Sequence, residues 1–134
     1  MRRLGLIFVA FAISAPRVSL AQPYQPLHAV KPLDGYVCMS LNLSQEQMMN
    51  PSVHVPIRSA PSAEAPVTGM AAAIVITKWP EEQERGYLRV LQLDGRLGWI
   101  DARYLKPWVN LGNTGDRCFP SLMSNGRIGF AFHH

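Results

Sequence analysis

The sequence predicts an all-β protein: a small, partly open barrel whose N- and C-terminal extensions are joined by a disulfide. Three observations carry this. The stretch Gly86 to Leu105 holds two β-rich runs, Leu88–Leu93 and Arg96–Ile100, around Asp94-Gly95. Asp-Gly between apolar runs is the strongest short-range hairpin signal, and a type I′ turn is expected there. The 11 Pro and 10 Gly in 134 residues favour many short elements and turns over long helices. Two cysteines, Cys38 and Cys118, lie on either side of the expected barrel.

The N-terminus is read first, because it does not belong to the fold. Arg2 and Arg3 precede an apolar run, Leu4–Ala15, of 12 residues, about half of the ~20 that span a bilayer. Ser19-Leu20-Ala21 places small residues where a signal peptidase reads, so residues 1–21 are expected to be a signal peptide cleaved after Ala21. The alternative is an uncleaved N-terminal anchor, which Pro16 and Arg17 disfavour by breaking the apolar run. No small-residue lipoprotein box precedes Cys38. The expected contact with the membrane is therefore through the signal peptide alone, before cleavage, and the expected location is periplasmic or secreted.

Cleavage changes the charge argument. Without Arg2, Arg3 and Arg17 the 13 basic residues fall to 10, against 9 acidic ones. The remaining basic residues are interspersed with Glu81, Glu82, Glu84, Asp94 and Asp101, so no basic stripe points to nucleic acid. An even cysteine pair in an exported chain reads as a disulfide between Cys38 and Cys118. A metal pair or a catalytic thiol are the alternatives. A metal needs more ligands than two cysteines, and His28, His54, His133 and His134 show no ligand spacing, so neither a metal nor a cofactor is expected.

The elements follow in order. Residues 22–34 are punctuated by proline and read as an extended linker. Residues 35–52 hold a first strand, Gly35–Leu43, and a short helix over Gln45–Met49. Ser44 and Gln47 form its expected capping box, and Asn50-Pro51 its end. Met48 and Met49 are expected to pack. In Ser52–Arg58, Val53, Val55 and Ile57 alternate with His54, Pro56 and Arg58, which reads as a strand with one buried face, at a sheet edge near Pro56. Ser59–Pro66 is a loop, Val67–Gly69 a short strand, Ala71–Thr77 a β-branched core strand. Lys78–Arg85 is an acidic loop carrying Trp79. Gly98 gives the second hairpin strand a bend or a close backbone approach. Lys106-Pro107-Trp108 is expected to close the barrel. Residues 109–134 form an extension with a second hairpin at Asn125-Gly126 and a packed tail at Phe130 and Phe132.

The blocks Ile57–Ser62, Pro66–Gly69, Gly86–Val90, Asp94–Ile100 and Tyr104-Leu105 resemble, in order and spacing, the bacterial SH3-like (SH3b) domain. The resemblance covers residues 53–108. It departs at Pro56, where these domains usually have Asn, at Ala60 for Gly, and at Tyr87 for Trp, which alters the first loop. The flanks resemble those of exported SH3-like proteins of Gram-negative bacteria. The resemblance implies a five- to seven-stranded partly open barrel that serves as a binding module of the cell envelope, for peptidoglycan or a peptide. Trp79, Trp108, Tyr104 and Arg58 are the candidate contacts, in a groove between the Trp79 loop and the first loop, because aromatic faces and a guanidinium suit peptides and sugars. The alternative is a structural or protein-interaction subunit of a periplasmic complex, docking by strand pairing at Phe130 and Phe132 or near Pro56. Catalysis is not expected: no Cys-His or Ser-His-Asp set and no paired acids stand out.

Overall fold

The computed structural model describes residues 11–134. Arg2, Arg3 and the start of the expected signal peptide lie outside the described residues. Residues 11–28 are exposed and take no regular structure. No helix among the described residues is long and apolar enough to cross a membrane.

Among the described residues the protein is all-β with one short α-helix. Its elements are β1 (Ala29–Pro32), β2 (Tyr36–Leu41), α1 (Gln45–Met49), β3 (Pro56–Arg58), β4 (Val67–Met70), β5 (Ile74–Lys78), β6 (Gln83–Glu84), β7 (Tyr87–Leu91), β8 (Leu97–Asp101), a 3₁₀ turn (Ala102–Tyr104), β9 (Leu105–Pro107), β10 (Arg117–Met123) and β11 (Ile128–His133). The larger sheet has the order β4-β3-β8-β7-β5-β2-β9, with β6 paired to β7. The smaller has the order β1-β10-β11.

The larger sheet does not close. β9 pairs with β2 rather than with the β3–β4 end. The expected closure at Lys106–Trp108 is thus corrected. The ends that a closing ladder would have to join are β4 and β9, and Pro107 brings no N–H to the β9 end. One face of the sheet holds the core: Leu41, Val55, Ile57, Val75, Leu88, Val90, Ile100 and Leu105. The alternation in β7 explains the sorting, since Leu88 and Val90 are buried while Tyr87, Arg89 and Leu91 face the other way. Trp99 lies on that second face and is buried under the Arg89 guanidinium, 4.9 Å from its ring.

Three local expectations change. Ladder pairing begins only at Pro56, so the Ser52–Arg58 strand is shorter than its alternation suggests, although Val55 and Ile57 are buried. β8 reaches β3 only at Arg58, which leaves Pro56 with β4 alone beside it. The linker ends early: Ala29–Pro32 pairs with β10, and the Leu33 N–H donates to Pro120 O at 2.8 Å. The capping box of α1 forms, with the Gln47 N–H donating to Ser44 Oγ at 3.1 Å and the Ser44 N–H to Gln47 Oε1 at 2.9 Å. No residue of α1 is buried, so Met48 and Met49 are not core residues.

Neither hairpin has a type I′ turn. Gly95 and Gly126 take positive φ, at 88° and 78°, but Asp94 and Asn125 do not. The Gly95 N–H donates to Gln92 O and the Gln92 N–H to Arg96 O; Met123, Gly126 and Arg127 repeat the pattern. These are three-residue loops, a type I turn followed by a left-handed glycine. The Asx side chains decide the outcome. Asp94 Oδ1 accepts the Arg96 N–H at 3.0 Å, and Asn125 Oδ1 accepts the Arg127 N–H at 3.0 Å.

The smaller sheet packs on the second face of the larger one. The Cys38–Cys118 disulfide joins β2 to β10. Trp108 meets Phe132 with ring centroids 5.6 Å apart. Phe130, Leu91 and Ile76 line a crevice of about 310 Å³ between the sheets. The tail therefore packs, as its alternating phenylalanines suggest.

Candidate functional site

Among the clefts of the described residues, the one beside the first loop brings two guanidinium groups and two phenol rings together. It has a volume of about 250 Å³ and is lined by Pro56, Arg58, Ala63, Tyr87, Asp101, Arg103 and Tyr104. Each side chain has a local reason for its place. Arg58 ends β3 opposite Trp99, on the face away from the core. Its Nη1 donates to Ala65 O at 2.9 Å, which ties the Ser59–Pro66 loop down as one wall. Tyr87 opens β7 and Asp101 closes β8; the hairpin register sets them opposite each other.

Asp101 caps the 3₁₀ turn that follows. Its Oδ1 accepts the Arg103 N–H at 3.0 Å, and Arg103 Nη2 donates to Oδ2 at 2.7 Å. The Arg103 guanidinium also stands 5.9 Å from the Tyr104 ring centroid. The hydrogen bond from Arg103 is the main reason that the Asp101 carboxyl lies below its ordinary pKa; partial burial opposes the shift. Arg103 is raised in turn, chiefly by the same bond. The cleft thus offers two guanidinium groups, one compensated by Asp101, between two phenol rings. Such a lining can meet a ligand through aromatic faces and guanidinium donors, and its residues include no nucleophile paired with a base.

The structure brings two of the four expected contacts together. Arg58 and Tyr104 share the cleft. Trp79 lies elsewhere, 59% exposed, with its backbone N–H donating to Gly35 O at 2.9 Å. Trp108 is half-buried against Phe132, between the sheets. The wall opposite the first loop is the 3₁₀ turn, not the Trp79 loop. Tyr87, Asp101 and Arg103 were not singled out from the sequence. The signal for them was present in the hairpin register, which pairs Tyr87 with Asp101 once the turn is placed.

Among the described residues no group of three or more His, Cys, Asp or Glu is arranged to hold a metal ion. Both cysteines are in the disulfide. A disulfide of this kind indicates an oxidising compartment outside the cytoplasm. No protein-family model, curated protein or solved structure matches the chain.

Proposed function

We propose that this chain is a non-catalytic, exported SH3-like binding module of the bacterial cell envelope, periplasmic or secreted, that holds peptidoglycan or a peptide. The observation that carries the proposal is the cleft in which Tyr87 and Tyr104 flank Arg58 and Arg103 beside the first loop. Phenol faces pack on sugar rings and peptide planes, while guanidinium groups meet carboxylates and carbonyls. A volume near 250 Å³ takes one or two residues of a peptide rather than a long ligand. The ordered blocks from Ile57 to Leu105 and the disulfide support the same reading.

Co-sedimentation with purified peptidoglycan tests it. The oxidised protein is expected in the pellet, Tyr104→Ala in the supernatant, and Trp79→Ala in the pellet with the wild type. Both variants are expected to melt like the wild type, because Tyr104 is 37% exposed and Trp79 more so. If the wild type stays in solution, the wall ligand is wrong. If Trp79→Ala alone is lost from the pellet, the face is wrong.

A further inference from the structure

Among the described residues the main strand paths of the two sheets end in four edge strands (the two-residue β6 lies off them), and three are defended against strand addition. β9 carries Lys106 and Pro107. β1 carries Lys31 and Pro32, with a register shift between Ala29 and Lys31. On β4, Arg96 Nη2 donates to Thr68 O at 3.0 Å and occupies the edge. Lysine, proline, bulges and covered carbonyls are the usual devices that keep sheet edges apart. β11 has none of them. Ile128-Gly129-Phe130-Ala131-Phe132 contains no charge and no proline. Among the described residues it pairs with β10 alone.

The hairpin register says which groups are free. The Met123 N–H donates to Arg127 O at 2.8 Å. Hydrogen-bonded and non-hydrogen-bonded pairs alternate along an antiparallel ladder, so Gly129, Ala131 and His133 bond to β10. Ile128, Phe130 and Phe132 then turn their N–H and C=O groups outward. Pro120, which has no N–H, lies opposite Phe130 and fits this phase.

We infer that β11 is a self-pairing edge, and that two copies of the chain join there into one antiparallel six-stranded sheet. The occupant follows from the register. About a two-fold axis through Phe130, the outward-bonding residues meet each other: Phe130 faces the partner's Phe130, and Ile128 faces the partner's Phe132. Gly129 falls opposite the partner's Ala131. Large pairs with large and small with small, and three outward N–H groups on each copy meet three outward carbonyls. A two-fold interface requires this kind of self-complementarity. The edge shares no residue with the Arg58–Tyr104 cleft and does not depend on how that cleft is read.

Light scattering during size exclusion of the oxidised chain, over a range of concentrations, tests the inference. A concentration-dependent mass of two chains is expected. Phe132→Pro removes one outward N–H and no bond to β10, and is expected to weaken the dimer at least about tenfold. Phe132→Ala loses the same ring but keeps the N–H, and is expected to remain a dimer. If the proline variant misfolds, Phe130→Cys decides: a short bismaleimide is expected to link two copies through the axis. A chain that is monomeric at every concentration overturns the inference, as does a dimer insensitive to Phe132→Pro or a Phe130→Cys chain that does not cross-link. A monomer that takes up an extended peptide along β11 overturns the choice of occupant.

Discussion

Thr77 is 1% exposed, and its hydroxyl finds no hydrogen-bond partner among the described residues. An unpaired buried hydroxyl costs about 1–3 kcal/mol. Thr77→Val keeps the shape and removes the hydroxyl. The variant is expected to raise the urea midpoint, by up to about 1–2 kcal/mol of stability; a fall would mean that the hydroxyl has a partner. The burial of Thr77 was legible, since it ends the run Ala71–Thr77. Its lack of a partner was not, because hydrogen bonding depends on what the fold brings near. Gly98 is the opposite case. A Cβ there would overlap Ile57 Cγ2 and stand 3.2 Å from Arg58 O. Of the two roles the sequence suggested for Gly98, the structure shows the close backbone approach.

The β7–β8 hairpin is an element with an acid-sensitive clasp at each end. Asp94 is held below its ordinary pKa mainly by the Arg96 backbone N–H, and Asp101 mainly by the Arg103 side chain. A carboxyl whose folded pKa lies below its unfolded value binds fewer protons when folded. Its stabilisation is therefore fully present above about pH 5 and is lost as pH falls below about 4. Urea midpoints measured from pH 7 to pH 3 are expected to fall for the wild type. Asp101→Asn can still cap the 3₁₀ turn but does not titrate, so its midpoint is expected to start lower and fall less steeply. A parallel decline of the two proteins would assign the pH dependence to other groups. The hairpin itself was legible from Asp94-Gly95. The turn type was not, because the Asx side chain, rather than the glycine alone, selects the backbone conformation.

At the scale of the whole molecule, the Cys38–Cys118 disulfide holds one sheet against the other. It closes a sequence separation of 80 residues, for which chain entropy gives roughly 4–5 kcal/mol as an upper guide. The noncovalent seam includes Trp108 against Phe132, and Phe130 beside Ile76 and Leu91. Reduction is expected to destabilise the protein by about 2–4 kcal/mol. Hydrogen exchange should then show Arg117–His133 losing protection before Tyr87–Asp101 does, since the core of the larger sheet does not involve the smaller. Simultaneous loss in both regions would mean that the sheets unfold as one unit. The disulfide partners were legible because two cysteines allow only one pairing within the chain. The strand order was not: nothing local in Tyr36–Leu41 says that it lies between β5 and β9, and nothing in Ala29–Pro32 distinguishes a strand from a spacer.

The amino-acid sequence alone determined the all-β class, the two glycine turns, the capping box at Ser44 and the disulfide. Each of these rests on period, φ preference or count, which act over a few residues or none. Tertiary structure alone decided the open larger sheet, the strand drawn from the proline-rich segment, the separation of Trp79 and Trp108 from Arg58 and Tyr104, and the bare edge at β11. Those outcomes depend on which distant segments cover which faces, and pairing between distant strands is set by shared burial and register rather than by local preference.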